Sequence, residues 1–151
     1  MKGFYDITTK LKDHFTADPI INTVTEGDIF EVDLNKQTIF PLVHMMINNA
    51  SFETNVVRFN VSLIAMDIVD ISKKATTDIF RGNSNEQDVL NTQLEVLNRA
   101  YALMLHGNLW DDKYVVDGNP TCEPFTERFE NFMAGWTMTL DILIPNEVTI
   151  C

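Results

Sequence analysis

Positive charge is scarce in this 151-residue chain. Eleven Lys and Arg stand against 22 Asp and Glu, a formal net charge of −11. A nucleic-acid binder neutralises phosphates with a positive face, so this balance argues against that class, and against an anionic membrane surface for the same reason. Cysteine is scarcer still. Cys122 and Cys151 are too few for a disulfide framework and read as free thiols of a reducing cytosol, with a bridge between them the alternative. Long apolar runs are missing. The stretch from Leu42 to Ile47 is interrupted by His44 and falls far short of the ~20 residues of a membrane helix. Met1-Lys2-Gly3-Phe4-Tyr5-Asp6 has no signal-peptide core, so the expectation is a soluble chain made in the cytosol. The six glycines fit neither G-x-x-x-x-G-K-[ST] nor G-x-G-x-x-G, which removes the usual nucleotide loops.

What is present reads as one globular domain over residues 1–151. The apolar fraction is 45 % and no repeat, low-complexity tract or linker divides the chain. Phe4, Ile7, Leu11 and Phe15 step by three, four and four, a single apolar stripe on a helix that Asp18-Pro19 stops. Thr25-Glu26-Gly27-Asp28 reads as a turn and Ile29 to Leu34 as a short strand. Phe40 to Ile47 reads as a buried strand entered through Pro41, and Asn48-Asn49-Ala50-Ser51 as a polar connection of hairpin type. From Val56 to Asp70, Val57, Phe59, Val61, Leu63 and Ala65 alternate with Arg58, Asn60 and Ser62; beyond Ile64 both faces turn apolar, as for a strand end covered on both sides. Leu90, Leu94, Leu97, Tyr101 and Met104 mark a second helix, N-capped by Asn85 and ending near His106 and Gly107. Arg81 to Asn85 is a polar loop. Asp111 to Pro120 is another, with Asp117-Gly118-Asn119-Pro120 a turn. Glu123 to Met133 fits strand or helix spacing. Trp136 to Ile144 alternates strictly and stops at Pro145. The expected fold class is α+β, a mostly antiparallel sheet with two main helices packed on one face.

No catalytic constellation emerges. His14, His44 and His106 lie far apart and none has a Cys or His at metal spacing. They read as a polar helix residue, a satisfied strand residue and a C-terminal helix cation. Asp111, Asp112 and Asp117 lack the spacing and the terminal Glu of a calcium loop and read as a solvated loop. Cys122 has Glu123 beside it and no basic neighbour to lower its pKa. No Ser sits in a G-x-S-x-G elbow. The chain is therefore expected to be no enzyme and to carry no cofactor and no metal. Met45, Met46, Met66, Met104, Met133 and Met138 fall on apolar positions, as core or interface fillers. Trp110, Tyr114, Val115 and Val116 form an apolar island in an Asp-rich loop. Such an island docks on a neighbour or caps the domain's own core; the first option makes Trp110, Asp111, Asp112, Tyr114 and Val115 a candidate subunit or layer interface.

The order of elements resembles that of small tailed-bacteriophage proteins of the tail-terminator and head–tail connector (neck) kind. These have a short first helix, a strand entered through an aromatic-proline step (Phe40-Pro41-Leu42-Val43), a long amphipathic strand (Val56 to Asp70), a helix (Asn85 to His106) and a closing strand (Gly135 to Ile142). The segment Pro124-Phe125-Thr126-Glu127-Arg128-Phe129-Glu130-Asn131-Phe132-Met133-Ala134-Gly135-Trp136 also resembles C-terminal segments of small structural proteins from phages of Bacteroidetes hosts. The resemblance implies a tail-terminator-like fold and a structural virion protein. It implies a homo-oligomeric ring, hexamer or higher, at the neck or tail, against neighbouring portal, connector or tail proteins, with DNA passing through unbound and no membrane involved. It brings no catalytic residues. The acidic balance fits a conduit that does not hold DNA. Arg58, Asn60 and Ser62 either line a wet lumen or face bulk solvent. The residues by themselves also fit a non-catalytic α+β module that binds a small ligand or a protein through an apolar Met-rich surface, or a small enzyme whose residues assemble across the sequence.

Overall fold

The structure, a computed structural model, describes residues 2–28, 39–69, 85–106, 115–128 and 132–146. The expected strand Ile29 to Leu34 and the loop Arg81 to Ser84 lie outside the described residues. Helix α1 spans Lys2–Ala17 and buries Ile7, Leu11 and Phe15. It ends where expected, the Asp18 N–H bonding back to the Phe15 carbonyl at 3.2 Å before Pro19 diverts the chain. Four short residues, Thr23–Glu26, then form strand β1. The remaining elements are β2 (Leu42–Phe52), β3 (Val56–Ile68), helix α2 (Glu86–His106), β4 (Val115–Arg128) and β5 (Phe132–Pro145). The fold is α+β, with one five-stranded sheet in the order β1-β2-β3-β5-β4. Only β1 lies parallel to its neighbour; the other three pairings are antiparallel.

Alternation along β3 decides the layering. Val57, Phe59, Val61, Leu63 and Ala65 join Val43 and Met45 of β2 and Met138, Leu140, Ile142 and Ile144 of β5 on one face. Both helices lie on that face, α1 through Ile7, Leu11 and Phe15 and α2 through Val96, Leu97, Ala100 and Met104. The stripe α2 buries is rotated from the expected one. Val89, Gln93, Val96, Leu97, Ala100 and Met104 face inward, whereas Leu94 is exposed and Leu90 and Tyr101 sit at the margin. Valine and alanine let the helix approach the sheet, where a leucine row stands it off. At the other end of the sheet the opposite face closes too: Phe40, Leu42, Met66 and Met133 form a second buried cluster with Ile64, Ile68 and Phe125 against it. The methionines 45, 66, 104, 133 and 138 are all core.

Four readings are corrected. Thr25-Glu26 is the end of β1, and the turn comes at Gly27, whose φ of 108° suits glycine. Asn48 to Ser51 is no connection but the second half of β2, which absorbs its polar residues through a register shift between Ile47 and Asn49 and turns only after Phe52. Asp117-Gly118-Asn119-Pro120 is a bulge inside β4, not a turn between elements, with Gly118 at φ 73°. The stretch from Glu123 to Met133 is not one strand: Glu123 to Arg128 ends β4 and Phe132 and Met133 open β5, with residues 129–131 outside the described ones.

Long-range polar ties pin the layers. Asp18, its side chain 2 % exposed, meets Arg99 of α2 through both oxygens at 2.8–3.2 Å. The Trp136 indole N–H donates to the Leu90 carbonyl at 2.8 Å. His44 is fully buried on β2. A carbonyl only accepts, so Nε2 carries the proton donated to the Gly27 carbonyl at 2.8 Å, and in the neutral ring Nδ1 accepts the Thr25 hydroxyl at 2.7 Å. One imidazole thus clasps the short parallel strand to the sheet.

His14 is different. Its Nε2 is buried without a hydrogen bond, and its ring stacks edge-on to Phe15 at 5.1 Å. Burial pushes its pKa below the ordinary 6.5; Asp18 opposes that shift and Arg99 adds to it. The unfolded chain then takes up this proton first on acidification. Stability held above pH 6.5 is lost as the pH falls toward the folded value. His14→Gln is expected to flatten the fall in urea midpoint between about pH 7 and pH 5. Parallel profiles for the two proteins would mean the ring is protonated equally well in both states.

Candidate functional site

Of the expected interface residues, Trp110, Asp111, Asp112 and Tyr114 lie outside the described residues. Val115 opens β4 opposite Leu143 and is 54 % exposed. Val116 packs partly onto the main core.

The face of the sheet on which no described helix lies carries a continuous polar patch. The Asn48 side-chain amide donates to Asn60 at 2.8 Å and to Ser62 at 2.7 Å, and Asn60 donates to Asp141 at 2.9 Å. Ser62 and Thr139 pair their hydroxyls at 3.3 Å. Arg58 sits at the end of this row and is held by three carboxylates: Asp117, Glu53 at 2.9 Å and Asp141 at 3.3 Å. The register explains the gathering, because Arg58 lies opposite Ser51 on one side and Leu143 on the other, and Asp141 lies opposite both Asn60 and Asp117. The hydrogen bonds that Arg58 donates to Asp117 and then to Glu53 hold the guanidinium in its charged form even more firmly than usual. The sequence showed the alternation of Arg58, Asn60 and Ser62 but not their acid partners, which come from three other places in the chain.

Two sheet edges remain. β4 offers a 14-residue outer edge, but it is bulged and carries Pro120 and Pro124. Proline has no N–H to give, so this edge is blunted against another strand. Among the described residues the edge at β2 is covered only by β1, from Leu42 to Met45. The Met45 carbonyl points outward, since Gly27 takes it at 3.1 Å. Alternation from there, reset by the shift at Asn48, turns the backbone groups of Ile47, Ala50 and Phe52 outward as well.

A groove of about 520 Å³ runs between α2 and β4, lined by Leu94, Asn98, Tyr101, Pro120, Cys122 and Met138 among others. Burial raises the Cys122 pKa, away from a reactive thiolate. On α2, Gln93 is fully buried and neither atom of its amide makes a hydrogen bond, a feature no spacing rule flagged. Among the described residues no three His, Cys, Asp or Glu side chains gather as a metal site, and no helix is long and apolar enough to cross a membrane. No family model matches the sequence, and no curated protein is detectably similar to it.

Proposed function

We propose that this chain is a structural virion protein of a tailed phage, a tail-terminator or head–tail connector component that closes into a ring through which DNA passes. The observation that supports this reading best is the Arg58 patch. A sheet face free of helix among the described residues presents amides, hydroxyls and carboxylates, and its guanidinium is already engaged by three acids. Among the described residues such a wall leaves no loose cation to grip phosphate, and with a chain charge of −11 it repels DNA. The neighbours in the ring meet through the segment leading into β4, with Val115 at its exposed end. Function is then geometric: one layer's symmetry is matched to the next, and the growing assembly is closed.

The test is the solution mass of the purified chain by light scattering, with electron micrographs of the same fractions. Rings of six or more copies are expected, closing more readily as salt screens the like charges. DNA retention at low salt is expected to be nil, and measurable binding there overturns the conduit reading. Trp110→Ser with Tyr114→Ser is expected to weaken assembly while thermal unfolding barely moves. The groove between α2 and β4 favours a second reading, a binding module for a small ligand or a protein. A monomer at every salt, together with a saturable ligand in that groove, selects it.

A further inference from the structure

We propose that the outer edge of β2 from Ile47 to Phe52, which has no strand partner among the described residues, is a docking site for an extended segment of another protein that carries Lys or Arg at both ends. The segment adds to the sheet beyond the end of β1.

Three observations lead there. The first is contrast between the two long edges. Both strands carry a bulge, but β4 also carries Pro120 and Pro124, whereas Ile47 to Phe52 holds no proline and no charge, two of the devices that normally protect an edge. The second is exposure. Asn48 to Phe52 are all exposed although each has a partner or bulge position on β3, and Phe52 is 74 % exposed. Phe52 and Ala50 lie on the helix side, opposite Val57 and Phe59, and the Phe59 ring stands 6.0 Å from Phe4. A strand laid on this edge therefore meets three outward backbone positions, Ile47, Ala50 and Phe52, unevenly spaced by the bulge, and covers an exposed aromatic ring.

The third is charge. Glu26 ends β1 opposite Met45, with Asp28 just beyond, and Glu53 follows Phe52. Acids thus bracket a neutral edge about 25 Å long. Glu53 is itself one of the three carboxylates gathered on the single Arg58 guanidinium, with Asp117 and Asp141 the other two. Electrostatic fit selects a cationic partner with its charges outside a neutral centre. A second copy fits poorly, since it carries −11 itself and its longest outer edge is blocked by proline.

The probe is a labelled peptide of alternating Val and Thr with two Lys at each end, compared with the same peptide ended by Glu. The Lys-ended peptide is expected to bind the intact chain and to slow hydrogen exchange at the amides of Ile47, Ala50 and Phe52, and the Glu-ended one to do neither. Ala50→Pro removes one outward N–H while sparing the inner ladder, and is expected to weaken binding about tenfold with its melting transition retained. Should that variant not fold, Phe52→Lys sets like charge against the peptide from a side chain alone and is expected to cause a similar loss. Equal binding of both peptides, or no protection at the three amides, overturns the proposal. Protection that rises with protein concentration in the absence of peptide overturns it too, by giving the edge to a second copy.

Discussion

Arg99→Met is expected to lower folding stability by about 3–5 kcal/mol, because it leaves the Asp18 carboxylate buried without its counter-charge. Arg99 reaches that carboxylate through Nε and Nη2, bonding both oxygens, while Asp18 Oδ1 also accepts the Ile20 N–H at 3.0 Å. Asp18 closes α1 and Arg99 stands in the middle of α2, so the pair joins the two helices over the sheet. The guanidinium is partly exposed, and its own link to Glu95 at 3.3 Å is a surface pair of little worth. The effect therefore comes from the acid that is stranded. Urea titration at neutral pH reads the loss, and Asp18→Leu with Arg99→Met is expected to recover much of it, since no charge is then left buried. A loss below about 1 kcal/mol would mean that water reaches the carboxylate after all.

Gly135→Ala is expected to cost about 3 kcal/mol, a drop of about 6–12 °C in melting temperature. Gly135 pairs with Met66 on β3 and Phe125 on β4. A Cβ there falls 2.0 Å from the Ala65 carbonyl oxygen and 2.8 Å from the Met66 Cα. These are backbone atoms, which cannot rotate aside, so β3 and β5 have to part beside the cluster of Met66 and Met133. Gly3 is the control. Its added Cβ meets the tip of the Ile144 side chain, which can turn away, so Gly3→Ala is expected to be tolerated. Calorimetry on the two variants separates the cases, and a melting temperature unchanged in Gly135→Ala would show that the two strands tolerate separation there.

Elements with a strong period were legible before the structure. Phe4, Ile7, Leu11 and Phe15 set α1, Val57 to Ala65 set β3, and Trp136 to Ile144 set β5, because in each the side chains on one face are uniformly apolar. Polar residues inside elements misled. Asn48, Asn49 and Ser51 look like a turn, yet they lie in β2, exposed and beyond the reach of β1, so their polar side chains stay in solvent and cost nothing. Asp117 to Pro120 look like a turn for the same reason and are a bulge at an edge. The reverse error fell on α2, where Gln93 is buried and Leu94 exposed, because tertiary packing chose the side with valine and alanine. The polar patch was half legible. Arg58 was placed on the wet face, but Glu53, Asp117 and Asp141 reach it only through sheet register, which a linear pattern does not carry.

The order of strands in the sheet has a consequence for synthesis. β3 lies next to β2, made just before it, and next to β5, made near the end. Asn60 and Asp141, bonded across that seam, are 81 residues apart. At roughly 5–20 residues per second on the ribosome, about 4–16 s pass between the emergence of one and of the other. Throughout that interval the β2–β3 hairpin has no β5 to pair with, and for its first half no complete α2 to cover its core face. A nascent chain in this state is sticky on its face and along its edge, and its yield in the cell depends on what shelters it during those seconds.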